Sequence, residues 1–395
     1  MRPGGALEVL AAATRLGLTS FGGPVAHLGY FRQEYVARRR WIDEQTYVDL
    51  VALCQFLPGP ASSQVGIAVG ILRAGLLGGV AAWIGFTLPS ALALTLFALG
   101  IRGLDLSGAG WLHGLKVAAV AVVAQAVLGM MRSLAPDRER ATLAVAASVI
   151  ALAFPSAWGQ VSAIAVGAIG GIALGRDVPP SGYVSLPLTV SRTAGALALV
   201  LFFALLVGLP LLAAQTTERG IDLVDAFYRA GSLVFGGGHV VLPLLQAEVV
   251  PRGWVSNDAF LAGYGAAQAV PGPLFTFAAY LGAVIGGPGT AALCLVAVFL
   301  PSFLLVIGAL PFWNEIRSKA KAQAALQGVN AAVVGLLLAA LYHPVWTAGI
   351  TSAKDFALAS VAFLLLYVWH TTPWLVVVLS AVGASMLAWL PSSMF

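Results

Sequence analysis

The chain has 395 residues, of which 59% are hydrophobic and only 9% charged. Its 16 acidic and 21 basic side chains are too few to cover the surface of a soluble protein of this length. The composition therefore predicts an integral membrane protein and excludes a soluble enzyme. It also excludes a nucleic-acid partner, because the bases behind the net charge of +5 are scattered between apolar runs.

Apolar runs follow one another along the whole chain. A helix needs about twenty apolar residues to cross a bilayer, and the runs lack the alternation of a barrel strand. The uninterrupted runs cover residues 76–100, 111–131, 141–158, 161–175, 193–214, 290–313, 325–346, 356–370 and 373–390. Glycine or proline interrupts four more, at residues 7–35, 47–72, 223–250 and 260–286. The sequence predicts an all-α polytopic membrane protein with about 10–13 transmembrane segments.

The second half of the chain repeats the first at a nearly constant offset. The matched positions are Glu8 and Asp222, Arg15 and Arg229, Phe21-Gly22-Gly23 and Phe235-Gly236-Gly237, Glu34 and Glu248, Trp41 and Trp254, Gln55 and Gln268, Pro58-Gly59-Pro60 and Pro271-Gly272-Pro273, Pro89-Ser90 and Pro301-Ser302, and Gly114 and Gly328. An ordered series of this length is not a chance similarity, so we predict two homologous helical repeats.

The apolar run at residues 193–214 has no counterpart. We therefore divide the chain into a first transmembrane repeat at residues 1–180, a linker with an extra helix at 181–220, and a second repeat at 221–395. If each repeat has an even number of crossings, the extra helix inverts the second repeat. Inverted repeats are common in secondary transporters. The charges of the loops leave the membrane sidedness open.

Proline-containing triplets break two of the apolar runs. A helix cannot continue through Pro58-Gly59-Pro60 or Pro271-Gly272-Pro273, and the resuming helix presents free N–H groups that attract anions. The polar residues beside the triplets are Gln55, Ser62, Ser63, Gln268 and Thr276. A second symmetric pair of breaks is predicted at Gly22-Gly23 and Gly236-Gly237. We interpret the four breaks as an oxyanion-binding site; the alternative is that they are kinks for close helix packing.

Polar side chains inside the apolar runs extend this interpretation. A base at mid-membrane costs about 3 kcal/mol on insertion scales, so it usually faces a cavity or a partner. Arg15, Arg229, Lys116 and, at the position matching Lys116, Asn330 are therefore candidate substrate ligands. The alternatives are snorkelling to the interface or, for the arginines, ion pairs with nearby acids.

Two acids and two histidines are candidates for proton coupling. Glu34 and Glu248 are more simply explained by salt bridges to arginine. His27 and His239 lie beside the glycine breaks, where a hydrogen-bonded packing role is the simpler explanation. We predict neither a metal site nor a cofactor, since the two cysteines lack neighbouring ligands.

Several motifs in combination resemble the chromate ion transporter family in its long-chain, two-domain form. They are F-G-G-P at residues 21–24, R-R-W-I-D-E at 39–44, Q-F-L-P-G-P at 55–60, F-G-G-G-H at 235–239 and V-P-G-P at 270–273. The resemblance covers nearly the whole chain. It implies an inner-membrane carrier that moves chromate, commonly as export that confers resistance, and two halves of opposite orientation. Sulfate is the related tetrahedral dianion.

The halves differ at Pro24 against Gly238 and at Ser62-Ser63 against Phe275-Thr276. The first half is therefore expected to supply more of the donors. The site would be asymmetric.

These observations favour a multi-pass secondary active transporter of chromate in the cytoplasmic membrane. No G-x-x-x-x-G-K-[ST] motif occurs, so a proton or ion gradient, or anion exchange, would drive transport. One alternative is a transporter of sulfate or another tetrahedral oxyanion. Another is a membrane-embedded enzyme acting on anionic substrates, although we predict no enzymatic activity. The expected partners are the substrate anion and the lipid bilayer, and a homodimer is left open.

Overall fold

The computed structural model describes residues 5–21, 23–101, 110–174, 190–235, 238–313, 315 and 319–388. Within these ranges it contains sixteen α-helices of nine or more residues and no strands. They are α1 (Ala6–Thr19), α2 (Gly23–Phe31), α3 (Glu44–Phe56), α4 (Ala61–Ile101), α5 (Gly110–Leu134), α6 (Arg138–Ala153), α7 (Ala157–Leu174), α8 (Arg192–Ala213), α9 (Arg219–Ser232), α10 (Val241–Val249), α11 (Asn257–Ala269), α12 (Phe277–Gly286), α13 (Pro288–Ala309), α14 (Ala320–Ala340), α15 (Ala353–Tyr367) and α16 (Pro373–Ala388).

Shorter helical turns extend several of these helices. π-Helical turns at Arg32–Arg38 and Leu341–Trp346 follow α2 and α14, and 3₁₀ turns at Gly238–Val240 and Leu274–Thr276 precede α10 and α12. A further 3₁₀ turn, Leu310–Phe312, follows α13, and a three-residue helix, Thr347–Gly349, ends the α14 segment.

Five helical segments are long and apolar enough to cross a membrane. They are Ala61–Ile101, Gly110–Leu134, Arg192–Ala213, Pro288–Phe312 and Ala320–Gly349. Three shorter apolar helices are Trp158–Leu174, Leu274–Gly286 and Pro373–Leu387. The predicted all-helical, multi-pass membrane protein is confirmed, while the number of crossings stays a prediction.

Helix α4 is a tight helical hairpin with two arms, α4a (residues 61–73) and α4b (residues 76–101). Ala74 and Gly75 between the arms have non-helical dihedral angles, and Gly75 has a φ of +66°. A Cβ atom at Gly70 would overlap the carbonyl oxygen of Gly78, and one at Gly78 would overlap that of Gly70. The two backbones therefore touch, with the arms antiparallel. The second repeat has the same turn at Gly287, whose φ of +85° separates α12 from α13.

The helix order of the first repeat recurs in the second. Helices α1, α2 and α3 correspond to α9, α10 and α11, and the arms α4a and α4b correspond to α12 and α13. Helices α5, α6 and α7 correspond to α14, α15 and α16, which leaves α8 without a counterpart. Much of α8 is exposed, as expected for a helix that faces lipid. The domain boundaries drawn from the sequence stay a prediction.

The two repeats are intertwined. Helix α5 packs on α16 of the other repeat, and α14 packs on α6 and α7. The matched glycines lie at these crossings, because a Cβ at Gly114 would overlap the backbone of Ser380, and a Cβ at Gly328 would overlap that of Gly167. Small residues allow such close backbone contact between membrane helices. Each repeat is thus completed by helices of the other.

Candidate functional site

Each Pro-Gly-Pro break is hydrogen-bonded to the other repeat. The Gly59 N–H donates to the carbonyl oxygen of Val234 at 2.6 Å, and the Gly272 N–H donates to that of Ser20 at 2.9 Å. Ser20 and Val234 are equivalent in the two repeats, each standing just before the Phe-Gly-Gly motif. Each Pro-Gly-Pro break therefore meets the residue that precedes the Phe-Gly-Gly motif of the other repeat, in two reciprocal pairs.

The central glycine of each triplet faces a serine of the other repeat. Gly59 has a φ of +121° and Gly272 a φ of +94°, both in the left-handed region that favours glycine. A Cβ at Gly59 would lie 2.8 Å from Ser302 Oγ, and a Cβ at Gly272 would lie 2.9 Å from Ser90 Oγ. Conformation and space together require glycine here.

Sequence reasoning missed the role of these two serines. Pro89-Ser90 and Pro301-Ser302 served there only as matched positions of the two repeats. A signal was present, since a hydroxyl at the same place in two otherwise apolar runs is a polar group that needs a partner.

His27 connects the two breaks. Its Nδ1 lies 3.3 Å from Ser62 Oγ in the first turn of α4a, and its ring also hydrogen-bonds the backbone of Ser20. The imidazole is 2% exposed and contacts the ring of Phe86 edge-on at 5.3 Å between centroids. Both Pro-Gly-Pro breaks therefore border one region of the protein.

His239 is placed differently. Its Nδ1 lies 2.7 Å from the Tyr264 hydroxyl, on α11, whereas His27 contacts Ser62 and Ser20 beside the breaks. The two histidines are therefore not structurally equivalent.

Five buried polar atoms around the breaks have no hydrogen-bond partner among the described residues. They are Ser20 Oγ, Ser63 Oγ, Gln64 Oε1, Thr87 Oγ1 and Ser302 Oγ, which we name the central polar cluster. Their side chains belong to residues that are at most 3% exposed. A buried polar group without a partner costs about 1–3 kcal/mol, so five such atoms make this region a candidate binding site.

Several predicted site residues lie at this interface, and others do not. Pro58, Pro60, Pro271 and Pro273 flank the two glycines in the triplets. At the second break, Thr276 Oγ1 donates to the Pro273 carbonyl oxygen at 2.8 Å and so has a partner. Gln268 Nε2 and Asn330 Oδ1 are buried without a described partner, whereas Gln55 is exposed.

Gly22, Gly236 and Gly237 lie outside the described residues, and Gly23 begins α2 with a φ of +77°.

The second-repeat arginine is held by two buried carboxylates. Arg229 Nη2 lies 2.6 Å from Asp225 Oδ2, and Arg229 Nε lies 3.1 Å from Glu248 Oε1. Arg252 also contacts Glu248, at 3.1 Å. The recorded partners of Arg229 are thus acids. A salt bridge to arginine was the simpler of the two explanations given for Glu248 above.

The matching arginine of the first repeat is held more loosely. The side chain of Arg15 is 56% exposed, and its Nη1 lies 3.9 Å from Glu34 Oε2. Glu34 is paired more closely with Arg38 and Arg39, at 3.0 and 2.6 Å. Direct contact of Arg15 or Arg229 with substrate stays a prediction.

Lys116 also has an acidic partner. Its Nζ lies 3.0 Å from Asp258 Oδ1, an exposed carboxylate in the first turn of α11. The central polar cluster itself contains only hydroxyls and one amide, so the arrangement can offer hydrogen bonds without a full charge.

Two intertwined helical repeats that meet at paired helix breaks define a polytopic membrane protein built by duplication. A family model described as chromate transporter matches residues 7–175 and 221–385. The chain belongs to the chromate transporter family. The two matched regions lie within the two predicted repeats, and α8 falls between them.

Individual relatives agree with this membership. The chain is 32% identical to a chromate transport protein of Pseudomonas aeruginosa over 95% of this chain and 90% of the relative. It is 26% identical to a chromate transport protein of Cupriavidus metallidurans over 83% of this chain and 79% of the relative. It is also 33% identical to the uncharacterized transporter YwrA of Bacillus subtilis, over 34% of this chain and 74% of the relative. No solved structure matches the chain significantly.

Proposed function

We propose that this protein is a secondary active transporter that exports chromate across the cytoplasmic membrane and thereby gives chromate resistance. Its family and the names of its full-length relatives support chromate as the substrate. The observation that carries the proposal is the central polar cluster, where buried hydroxyls without partners surround two broken helices. A tetrahedral oxyanion supplies acceptor oxygens in several directions, which matches such a set of hydroxyl donors.

The reciprocal backbone hydrogen bonds suggest how access alternates. The bonds Gly59–Val234 and Gly272–Ser20 each join one repeat to the other, so a relative movement of the repeats changes both breaks at once. In the structure, the members of the central polar cluster are shielded from solvent. We infer that it is an occluded conformation, and that rocking of the repeats opens the cluster to one side at a time.

The driving force is proposed to be a proton or ion gradient, or exchange with another anion. The sequence contains no nucleotide-binding P-loop, so hydrolysis of ATP by this chain is not part of the proposal.

The decisive experiment measures saturable chromate flux in proteoliposomes that contain the purified protein, with a proton gradient imposed in either direction. Flux that responds to the gradient supports coupled transport. Absence of flux under every gradient, with folded protein in the bilayer, would contradict the proposal and favour the membrane-enzyme alternative.

The Ser302→Ala variant tests the site itself. The substitution removes one hydrogen-bond donor to the anion, so we expect about a tenfold loss of apparent chromate affinity. Because the Ser302 hydroxyl has no described partner, the unliganded variant should melt at the same temperature or higher. Ser360→Ala is the control, since Ser360 Oγ donates to the Phe356 carbonyl on the exposed face of α15. Equal affinity in Ser302→Ala and the wild type would remove this serine from the site.

A further inference from the structure

One atom of the central polar cluster differs in chemistry from the others. The four hydroxyls can donate or accept a hydrogen bond, whereas the oxygen of Gln64 can only accept one. Gln64 Nε2 donates to the Pro58 carbonyl oxygen at 2.6 Å, which fixes the orientation of the amide. Gln64 Oε1 is the opposite end of this group, and it is fully buried without a described partner.

The position of this amide ties it to the break. A Cβ at Gly59 would lie 2.6 Å from Gln64 Nε2 and 2.8 Å from Ser302 Oγ, so both side chains border the same glycine. The second repeat has Phe277 where the first has Gln64, and Phe277 packs among aromatic rings. The acceptor therefore occurs once, in the first repeat.

The charges around the cluster also bear on which ligand it binds. No charged side chain belongs to the cluster, and the recorded partners of Arg15 and Arg229 are carboxylates. Hydroxyls and helix N-termini stabilise one negative charge at a buried site more readily than two, because a dianion loses far more hydration energy on burial.

We propose that the central polar cluster binds the singly protonated monoanion of a tetrahedral oxyanion, with Gln64 Oε1 accepting its O–H. For the proposed substrate, on which this inference rests, that form is hydrogen chromate rather than the chromate dianion. The substrate then carries one proton with it through the protein. Hydrogen chromate loses its proton near neutral pH and is available in the cell, whereas hydrogen sulfate is a strong acid and is absent.

The proposal therefore assigns the site a selectivity. Phosphate and arsenate keep at least one proton at neutral pH and can donate to Gln64. Sulfate and selenate have the same shape but no proton, so they leave the Gln64 oxygen facing an anionic oxygen. An unpaired acceptor of this kind is an effective means of rejecting the wrong ligand.

The experiment is inhibition of chromate flux in proteoliposomes by phosphate, arsenate, sulfate and selenate at one neutral pH. We expect phosphate and arsenate to inhibit at concentrations at least tenfold lower than sulfate and selenate. Inhibition by sulfate and selenate at the same concentrations as phosphate would overturn the inference while leaving chromate transport intact. Absence of chromate flux would instead contradict the proposed function.

The Gln64→Met variant tests the assigned atom. It keeps the length of the side chain but removes the acceptor, so the difference between arsenate and selenate should shrink at least tenfold. Gln160→Met is the matched control, because Gln160 is also buried and its Nε2 also donates to a proline carbonyl, that of Pro243 at 2.8 Å. The control should keep the wild-type selectivity. Unchanged selectivity in a transporting Gln64→Met variant would overturn the assignment.

A second measurement follows the apparent KM for total chromate as the pH rises. Above the pKa of hydrogen chromate, KM should increase about tenfold per pH unit, since the bound form becomes scarce. The titratable or charged groups on α4 and on the helices packed against it include Glu8 and Arg15 on α1, His27 on α2, Glu44, Tyr47, Asp49 and Cys54 on α3, Arg73 on α4a, Asp258 and Tyr264 on α11, Tyr280 on α12 and Cys294 on α13.

Of these groups, His27 lies nearest the cluster, through Ser62 and Ser20. The pH dependence of KM should therefore persist in His27→Gln, even if the maximal rate falls. Loss of the pH dependence in His27→Gln would assign the titration to the protein and contradict a protonated substrate.

Discussion

At the scale of single residues, Gly59 sets the distance between the two repeats at the first break. Its φ of +121° is costly for any residue with a Cβ, and a Cβ would meet Gln64 Nε2 and Ser302 Oγ at under 3 Å. The same residue donates its N–H to Val234 of the other repeat. Backbone conformation, side-chain space and a hydrogen bond between repeats all depend on this glycine.

The Gly59→Ala variant should therefore lose chromate flux by about tenfold or more, because strain and steric overlap together displace the donors of the site. The measurement is the initial rate of flux per folded molecule in proteoliposomes. Gly253→Ala is the matched control, since Gly253 has a φ of +68° but open space around its Cβ position. Equal flux in both variants would mean that the break is only a packing kink.

The two matched arginines should respond differently to removal. Arg229→Ala removes the ion-pair partner of Asp225, which is 3% exposed, and breaking such a buried pair costs about 3–5 kcal/mol. We expect this variant to melt at a clearly lower temperature, measured by thermal unfolding in detergent. Arg15→Ala leaves Glu34 paired with Arg38 and Arg39, so its melting temperature should stay close to that of the wild type.

This difference decides how the transport activity of the two variants is interpreted. A folded Arg15→Ala variant without flux would place Arg15 in the transport path. If the double variant Arg229→Ala/Asp225→Asn regains the melting temperature of the wild type, the defect of Arg229→Ala is due to the unpaired acid.

At the scale of helices, glycines at crossings fix which elements can touch. The arms of α4 are in backbone contact at Gly70 and Gly78, and α5 contacts α16 at Gly114. No apolar periodicity encodes these contacts, because in lipid the helices do not associate by the hydrophobic effect. Close packing and interhelical hydrogen bonds replace it.

Gly114→Ala should destabilise the protein by about 1–3 kcal/mol, because its Cβ would overlap the backbone of Ser380 on α16. The variant Gly129→Ala, on the same helix, is the control. Gly129 is exposed with nothing near its Cβ position, and alanine favours a helix over glycine by about 1 kcal/mol. Thermal unfolding of both variants measures the difference, and equal melting temperatures would contradict the close approach of α5 and α16.

At the scale of the whole molecule, the intertwining of the repeats makes them one folding unit. Helices α5 and α14 each bury a face against helices of the other repeat, and the largest apolar core combines residues of both. Two relatives from Bacillus subtilis, the uncharacterized transporters YwrA and YwrB, match 34% and 30% of this chain over 74% and 60% of their own lengths. A chain of about one repeat therefore exists among its relatives.

We expect residues 1–180 and 181–395, expressed as two chains in the same cell, to assemble and transport chromate. Each fragment alone would leave buried helix faces without a partner, so neither should give a monodisperse protein in detergent. Size-exclusion chromatography and flux measure the two outcomes. A single fragment that is monodisperse and transports by itself would contradict the interdependence of the repeats.

The sequence predicted the helical elements well because each apolar run and each breaker acts locally. The run at 76–100 lies within α4b, the unmatched run at 193–214 is α8, and Pro58-Gly59-Pro60 separates α3 from α4a. The central polar cluster was predicted only in part. Of its five members, Ser63 was among the predicted site residues, whereas Ser20, Gln64, Thr87 and Ser302 were not.

The missed residues share a physical reason. Ser302 is 243 positions from Gly59, and the two meet only because the repeats interlock. A hydroxyl in an apolar run indicates that a partner is required, but its spacing does not say which segment supplies that partner.

By itself, the sequence determined a helical membrane protein, two repeats, the positions of the helix breaks and a resemblance to one family. These properties follow from composition, local backbone chemistry and internal similarity, each of which is readable along the chain. Only the tertiary structure decided that each Pro-Gly-Pro break hydrogen-bonds the other repeat, that the arginines are paired with acids, and that five buried polar atoms are left without described partners. These facts depend on contacts between residues distant in the chain, and such contacts are fixed by the packing of helices rather than by any local pattern.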